Sequence, residues 1–120
     1  VEMSEITLSS PMKVDINIYQ GDSGSFKITM TGPLGAPIDI SGAAWDGDIR
    51  VKANDASPVT SFDFVPDAGD TSSVDVFLSA AKSELLVAKS YVYDIEMREG
   101  GSVTTLIYGD ISVIQDVSRP

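Results

Sequence analysis

The sequence predicts an all-β protein, an antiparallel sandwich of about seven or eight short strands packed in two sheets. Three observations predict it. Apolar residues alternate with polar ones in short runs along most of the chain, the period-two mark of half-buried strands. Clusters of Gly, Pro, Asp, Asn and Ser separate those runs and supply turn chemistry. A single segment, near 79–88, has helical character and reads as one short link between strands.

The elements follow in order. Met12-Lys13-Val14-Asp15-Ile16-Asn17-Ile18 places Met12, Val14, Ile16 and Ile18 on one face. Gln20 to Gly24 turns the chain, with Gly21 and Gly24 free to adopt positive φ. Ser25 to Thr31 points Phe26, Ile28 and Met30 inward, and Gly32 to Pro37 forms a loop. Ile38 and Ile40 make a short apolar pair before the Ser41-Gly42 turn. In the next run Trp45, Gly47, Ile49 and Val51 lie opposite Asp46, Asp48, Arg50 and Lys52. Gly47 within a strand signals a bulge or a close backbone approach. After a turn at Asn54 to Pro58, Val59 to Phe64 offers Phe62 and Phe64 to the core.

Beyond a turn-rich loop from Pro66 to Ser72, Val74, Val76 and Leu78 define another strand. Ser79 is placed to cap Ala80-Ala81-Lys82-Ser83-Glu84-Leu85-Leu86, room for one or two helical turns. Tyr91, Tyr93, Ile95 and Met97 then face inward, with Asp94, Glu96 and Arg98 outward. Glu99-Gly100-Gly101-Ser102 is a hairpin turn. Val103 to Tyr108 returns, and Asp110 to Val117 closes with Ile111, Val113 and Val117 inward. The expected organisation is one domain over 12–117, a tail at 118–120, and an N-terminal arm or edge strand over 1–11. Such an arm would carry Ile6 and Leu8 into a neighbour's sheet edge.

Tyr91-Val92-Tyr93 follows a short turn and opens a strand, as the tyrosine corner of an immunoglobulin-like domain does. Tyr93 then stands where an antibody domain has its second cysteine, with Trp45 expected to pack across the sheets against it. The same residues also read as ordinary aromatic core residues, and a small barrel is the alternative architecture; the expectation is the sandwich, of immunoglobulin-like type.

Composition narrows function. Cysteine and histidine are both absent, which removes disulfides, thiolate nucleophiles, sulfur- or imidazole-ligated metals and the commonest general base. Eight basic against eighteen acidic residues give a net charge of -10. The basic residues are scattered, so neither nucleic acid nor an anionic membrane is an expected partner. Val1-Glu2-Met3-Ser4-Glu5 has neither the basic nor the apolar region of an export signal. No catalytic residue, cofactor or metal ligand is expected. The pairs Asp46/Asp48 and Asp94/Glu96 read as solvated sheet-face charges beside Arg50, Lys52 and Arg98. Asp67-Ala68-Gly69-Asp70 lacks the spacing of a calcium loop. Val103 to Tyr108 is apolar on both faces, and so is either a central strand buried on two sides or an exposed patch. The expected partner-interface candidates are Ile6, Leu8, Leu106 and Tyr108.

Four segments carry a resemblance. Tyr19-Gln20-Gly21-Asp22-Ser23-Gly24-Ser25-Phe26 resembles the opening of small phage structural domains, the N-terminal domain of phage baseplate upper proteins among them. Gly35-Ala36-Pro37-Ile38-Asp39-Ile40-Ser41-Gly42-Ala43 resembles their next segment, which is followed by a strand ending in an arginine such as Arg50. The stretch from Ser79 to Glu96 and the closing Gly109-Asp110-Ile111-Ser112-Val113-Ile114-Gln115-Asp116-Val117-Ser118-Arg119 are similar to later parts of related small virion proteins. The resemblance implies a non-enzymatic immunoglobulin-like protein of a tailed-phage virion, assembled in the host cytoplasm. It further implies a tail, baseplate or fibre-attachment role, in contact with other virion proteins as a homo-oligomer or symmetric array. A head decoration protein of the same fold, or a carbohydrate-binding or adhesive sandwich, are the alternatives.

Overall fold

A computed structural model describes residues 6–8, 12–87 and 89–115. The side chains of Ile6 and Leu8, and the whole of Val117, lie outside the described residues. Two sheets face each other. The smaller contains β1 (Ile6–Leu8), β4 (Gly24–Met30), β8 (Asp63–Pro66) and β9 (Ser73–Leu78), in the order β1-β4-β9-β8. The larger is built on a long hairpin, β10 (Ser90–Glu99) and β11 (Ser102–Ile114). Along β11 run β2 (Met12–Lys13) and β3 (Ile16–Tyr19). Along β10 run β5 (Ala44–Asp46) and β6 (Asp48–Arg50), and β7 (Thr60–Ser61) pairs with β6. Among the described residues the eleven strands thus include two runs, 12–18 and 43–52, that each read as one strand in sequence and are interrupted in space. β1 pairs with β4, and β2 and β3 with β11, in parallel; the other strand pairs are antiparallel.

The alternation places most of the core as expected, although Met12 and Val51, at the ends of their apolar rows, are exposed. Ile16, Ile18, Phe26, Ile28, Met30, Val74, Val76, Leu78, Tyr91, Tyr93, Ile95, Ile111 and Val113 are all buried. Burying each such side chain contributes about 1.5–3 kcal/mol. Phe62 lies between β7 and β8, where the chain leaves the larger sheet for the smaller. Its ring meets Phe26 edge-on at 6.3 Å and Tyr93 edge-on at 5.7 Å, so one aromatic ties the sheets together. That is the place the sequence assigns to Trp45. Trp45 is instead half-buried and stacks on Phe64 at 5.8 Å. The cause is Gly47: a Cβ there would stand 2.8 Å from Phe64 Cζ and 3.2 Å from Phe62 Cδ2. The bare backbone lets both phenyl rings in, and they displace the indole from the centre.

The short link is α1 (Ala80–Ser83), capped by Ser79 Oγ accepting from the Lys82 N–H at 3.2 Å. Ser83 is fully buried and its Oγ accepts from the Gly21 N–H at 2.9 Å, fixing the link to the β3–β4 turn. Gly21 has φ 84, whereas Gly24 already belongs to β4 and does not use its freedom. Gly100 and Gly101 take φ 58 and 87 in the two-residue hairpin.

The Tyr91 hydroxyl accepts from the Val87 N–H at 2.8 Å and donates to the Val87 carbonyl at 3.2 Å, which is the tyrosine corner read from the sequence. Tyr91→Phe strips Val87 of both partners while leaving the ring in place. A loss of about 1–2 kcal/mol is expected, read as a lowered urea midpoint with an unchanged slope.

Candidate protein-interaction face

The outer face of the larger sheet holds an open groove of about 650 Å³ across β6, β10 and β11, closed at one side by the loop 51–55. Strand register decides what lines it. Asp94 is paired with Tyr108, Val92 with Asp110 and with Arg50, and Tyr108 with Lys13 of β2. Because alternate residues share a face, Asp94, Tyr108 and Asp110 are mutual neighbours in the groove floor. Arg50 donates to Asp48 at 3.0 Å and to the Asp55 carbonyl at 3.1 Å, which anchors the loop. Arg98 pairs with Asp46 and approaches Glu96 at 3.6 Å. Of the carboxylate pairs in the sequence, Asp46, Asp48 and Glu96 are thus engaged by arginines on the same face, and Asp94 is not. Partial burial, reinforced by Asp48, pushes the Asp94 carboxyl above the ordinary carboxylate range.

Of the two expected interface residues whose side chains are described, Leu106 and Tyr108, the structure makes one a surface group. Tyr108 is 46% exposed in the groove. Leu106 is only 2% exposed and belongs to the core, so it is corrected to a packing residue. A β-bulge is responsible: pairing steps from Ile95↔Ile107 to Glu96↔Thr105 and leaves Leu106 without an opposite number. The extra residue lets Leu106 and Ile107, consecutive in sequence, both enter the core. Neither expectation for the 103–108 strand therefore holds along its whole length. Its first residues are exposed, its middle is buried, and Tyr108 faces out. The backbone of Ile6–Leu8 is an edge strand on β4, while the side chains of Ile6 and Leu8 are outside the described residues.

Other surface features are separate from the groove. Leu34, at the tip of the loop after β4, is fully exposed and has φ 63, a left-handed backbone that a branched side chain resists. Leu34→Gly is expected to stabilise the protein by about 0.5–1 kcal/mol, seen as a small rise in melting temperature. The Asp67–Asp70 loop is occupied by its own chain. Asp67 accepts from Lys27 at 2.7 Å and from the Gly69 N–H at 2.8 Å; Asp70 accepts from the Ser72 and Ser73 side chains and the Ser72 N–H.

These hydrogen bonds hold both carboxyls below their ordinary pKa, the Lys27 contact leading for Asp67 and the Ser72 hydroxyl for Asp70. A depressed folded pKa stabilises the protein above the unfolded value, near 4, and that contribution vanishes as pH falls through the folded value. Asp94 has the opposite sign, its contribution fading as pH rises. Asp70→Ala should lower the melting temperature at neutral pH. The gap to the parent should narrow as pH falls below the unfolded value and through the lowered folded one, where the Asp70 carboxylate takes up its proton.

Fold and face together define a class: an all-β, two-sheet sandwich that presents a charged groove on its larger sheet. Among solved structures, it is similar to the N-terminal domain of phage TP901-1 ORF48. The TM-score is 0.53 and the identity 16%, over 94% of this chain and 98% of that one. At that identity the likeness is one of fold. No protein-family model matches the chain, and no curated protein matches it in sequence. Among the described residues no helix is long and apolar enough to cross a membrane.

Proposed function

We propose that the chain is a non-enzymatic structural protein of a bacteriophage virion, sited in the tail, the baseplate or a fibre-attachment point, and acting through protein–protein interfaces. The observation that carries this reading is the two-sheet fold shared with a phage protein domain along nearly the full length of both chains. Four sequence segments resembling baseplate upper proteins point the same way. The strand order supports an immunoglobulin-like assignment: β1, β4, β9 and β8 correspond to strands A, B, E and D, and β11, β10 and β5–β6 to G, F and C. The parallel pairing of β1 with β4 is a departure from that plan. A single domain over 12–117 with an N-terminal edge segment fits the same reading, as does function within a homo-oligomer or symmetric array of other virion proteins. Scattered basic residues disfavour direct contact with nucleic acid or membrane.

Gold-labelled antibody raised against the chain and applied to purified particles tests the location. Label at the tail end is expected. Label spread over the head would replace the tail reading by the decoration reading, and unlabelled particles whose proteins lack the chain would end both.

A further inference from the structure

We propose that the groove over Asp94, Tyr108 and Asp110 receives a basic segment of a partner protein, with an arginine or lysine side chain laid on the Tyr108 ring between the two carboxylates. This rests on the reading of the chain as a docking protein and names the chemistry of what docks.

Four observations carry it. The groove, at about 650 Å³, is large enough for several side chains of an extended segment. Its floor presents a half-exposed aromatic face, a surface that attracts guanidinium and ammonium groups. Its other carboxylates have partners: Asp48 holds Arg50, Glu96 lies near Arg98, and Asp55 accepts from the Lys52 N–H at 3.1 Å. Asp94 and Asp110, flanking Tyr108, have neither a side-chain hydrogen bond nor a salt bridge among the described residues. Lys13 lines the groove beside Tyr108 as well, yet five carboxylates (Asp48, Asp55, Asp94, Glu96 and Asp110) against three cations (Lys13, Arg50 and Arg98) leave the lining net negative beside an aromatic ring, in a chain whose net charge is -10.

A bare metal ion fits less well, since no three carboxylates converge to hold one among the described residues. An acidic partner would meet repulsion. A saccharide would find one aromatic platform but would leave the carboxylate charge unbalanced. A positively charged side chain satisfies both features at once.

The test is a titration of the isotope-labelled full chain with tri-arginine amide, followed by amide chemical shifts, with tri-glycine amide and maltotriose as comparisons. Saturable shifts centred on Asp94, Tyr108 and Asp110 are expected with tri-arginine, at about millimolar affinity, weakening as salt is raised. The double variant Asp94→Asn, Asp110→Asn should weaken binding about tenfold while keeping the parent's dispersed spectrum, and Tyr108→Ala should weaken it independently. Equal shifts with the neutral tripeptide, preferential binding of maltotriose, shifts confined to other faces, or unchanged affinity in the double variant would each overturn the proposal. Failure here leaves the chain's location in particles untouched. Absence from particles would not alter a positive titration.

Discussion

Gly109→Ala is expected to cost about 3 kcal/mol or more and to lower the melting temperature by about 10 °C. Gly109 lies opposite Tyr93 on the central hairpin. The chain crosses above it between β2 and β3, close enough that a Cβ would stand 2.2 Å from the Val14 carbonyl oxygen and 2.8 Å from its carbon. Both obstacles are backbone, so no rotamer change relieves the clash. The crossing segment must lift instead. Lifting it breaks the Val14 N–H bond to the Tyr108 carbonyl, 2.9 Å long, and the bond by which the Tyr93 hydroxyl donates to the Val14 carbonyl. Burial pushes the Tyr93 hydroxyl's pKa up, so it remains a donor at ordinary pH. Gly42→Ala is the control: a Cβ there has nothing within 4 Å, and a change within about 0.5 kcal/mol is expected. Equal stabilities for the two variants would refute the crossing geometry.

The second large effect concerns the bulge. Leu106→Ala and Ile107→Ala should each cost about 2–4 kcal/mol, because each side chain is at most 2% exposed and its removal leaves a cavity. Val103→Ala, at 52% exposure on the same strand, should change stability by less than about 0.5 kcal/mol. Denaturant unfolding of the three variants decides the matter. A regular strand would bury only one of positions 106 and 107, so a neutral result at either would remove the bulge.

Most of the fold was legible because alternation, turn residues and a capped short helix agree with one another along the chain. Three features were hidden, each for a physical reason. The bulge at Leu106 inserts a residue without any glycine or proline to announce it, and it inverts the face assignment on one side of the insertion. The displacement of Trp45 depends on two phenyl rings from a distant segment finding room over Gly47. The glycine itself was conspicuous, but its visitors were not. Gly109 resembles an ordinary turn glycine in sequence, and its role depends on a segment ninety-five residues earlier crossing above it, as the Asp110 N–H bond to Asp15 also reflects. The groove was half visible. Its charges and Tyr108 were evident as outward residues, but bringing Asp94, Tyr108 and Asp110 together required the register between β10 and β11.

Lysine cross-linking of purified particles, read by mass spectrometry, tests the central claim most directly. Lys13 lines the groove and Lys52 belongs to the loop that closes it. Both should be joined to lysines of a tail or baseplate protein. Cross-links running solely to the major capsid protein, or particles containing no peptide of this chain, would contradict the account.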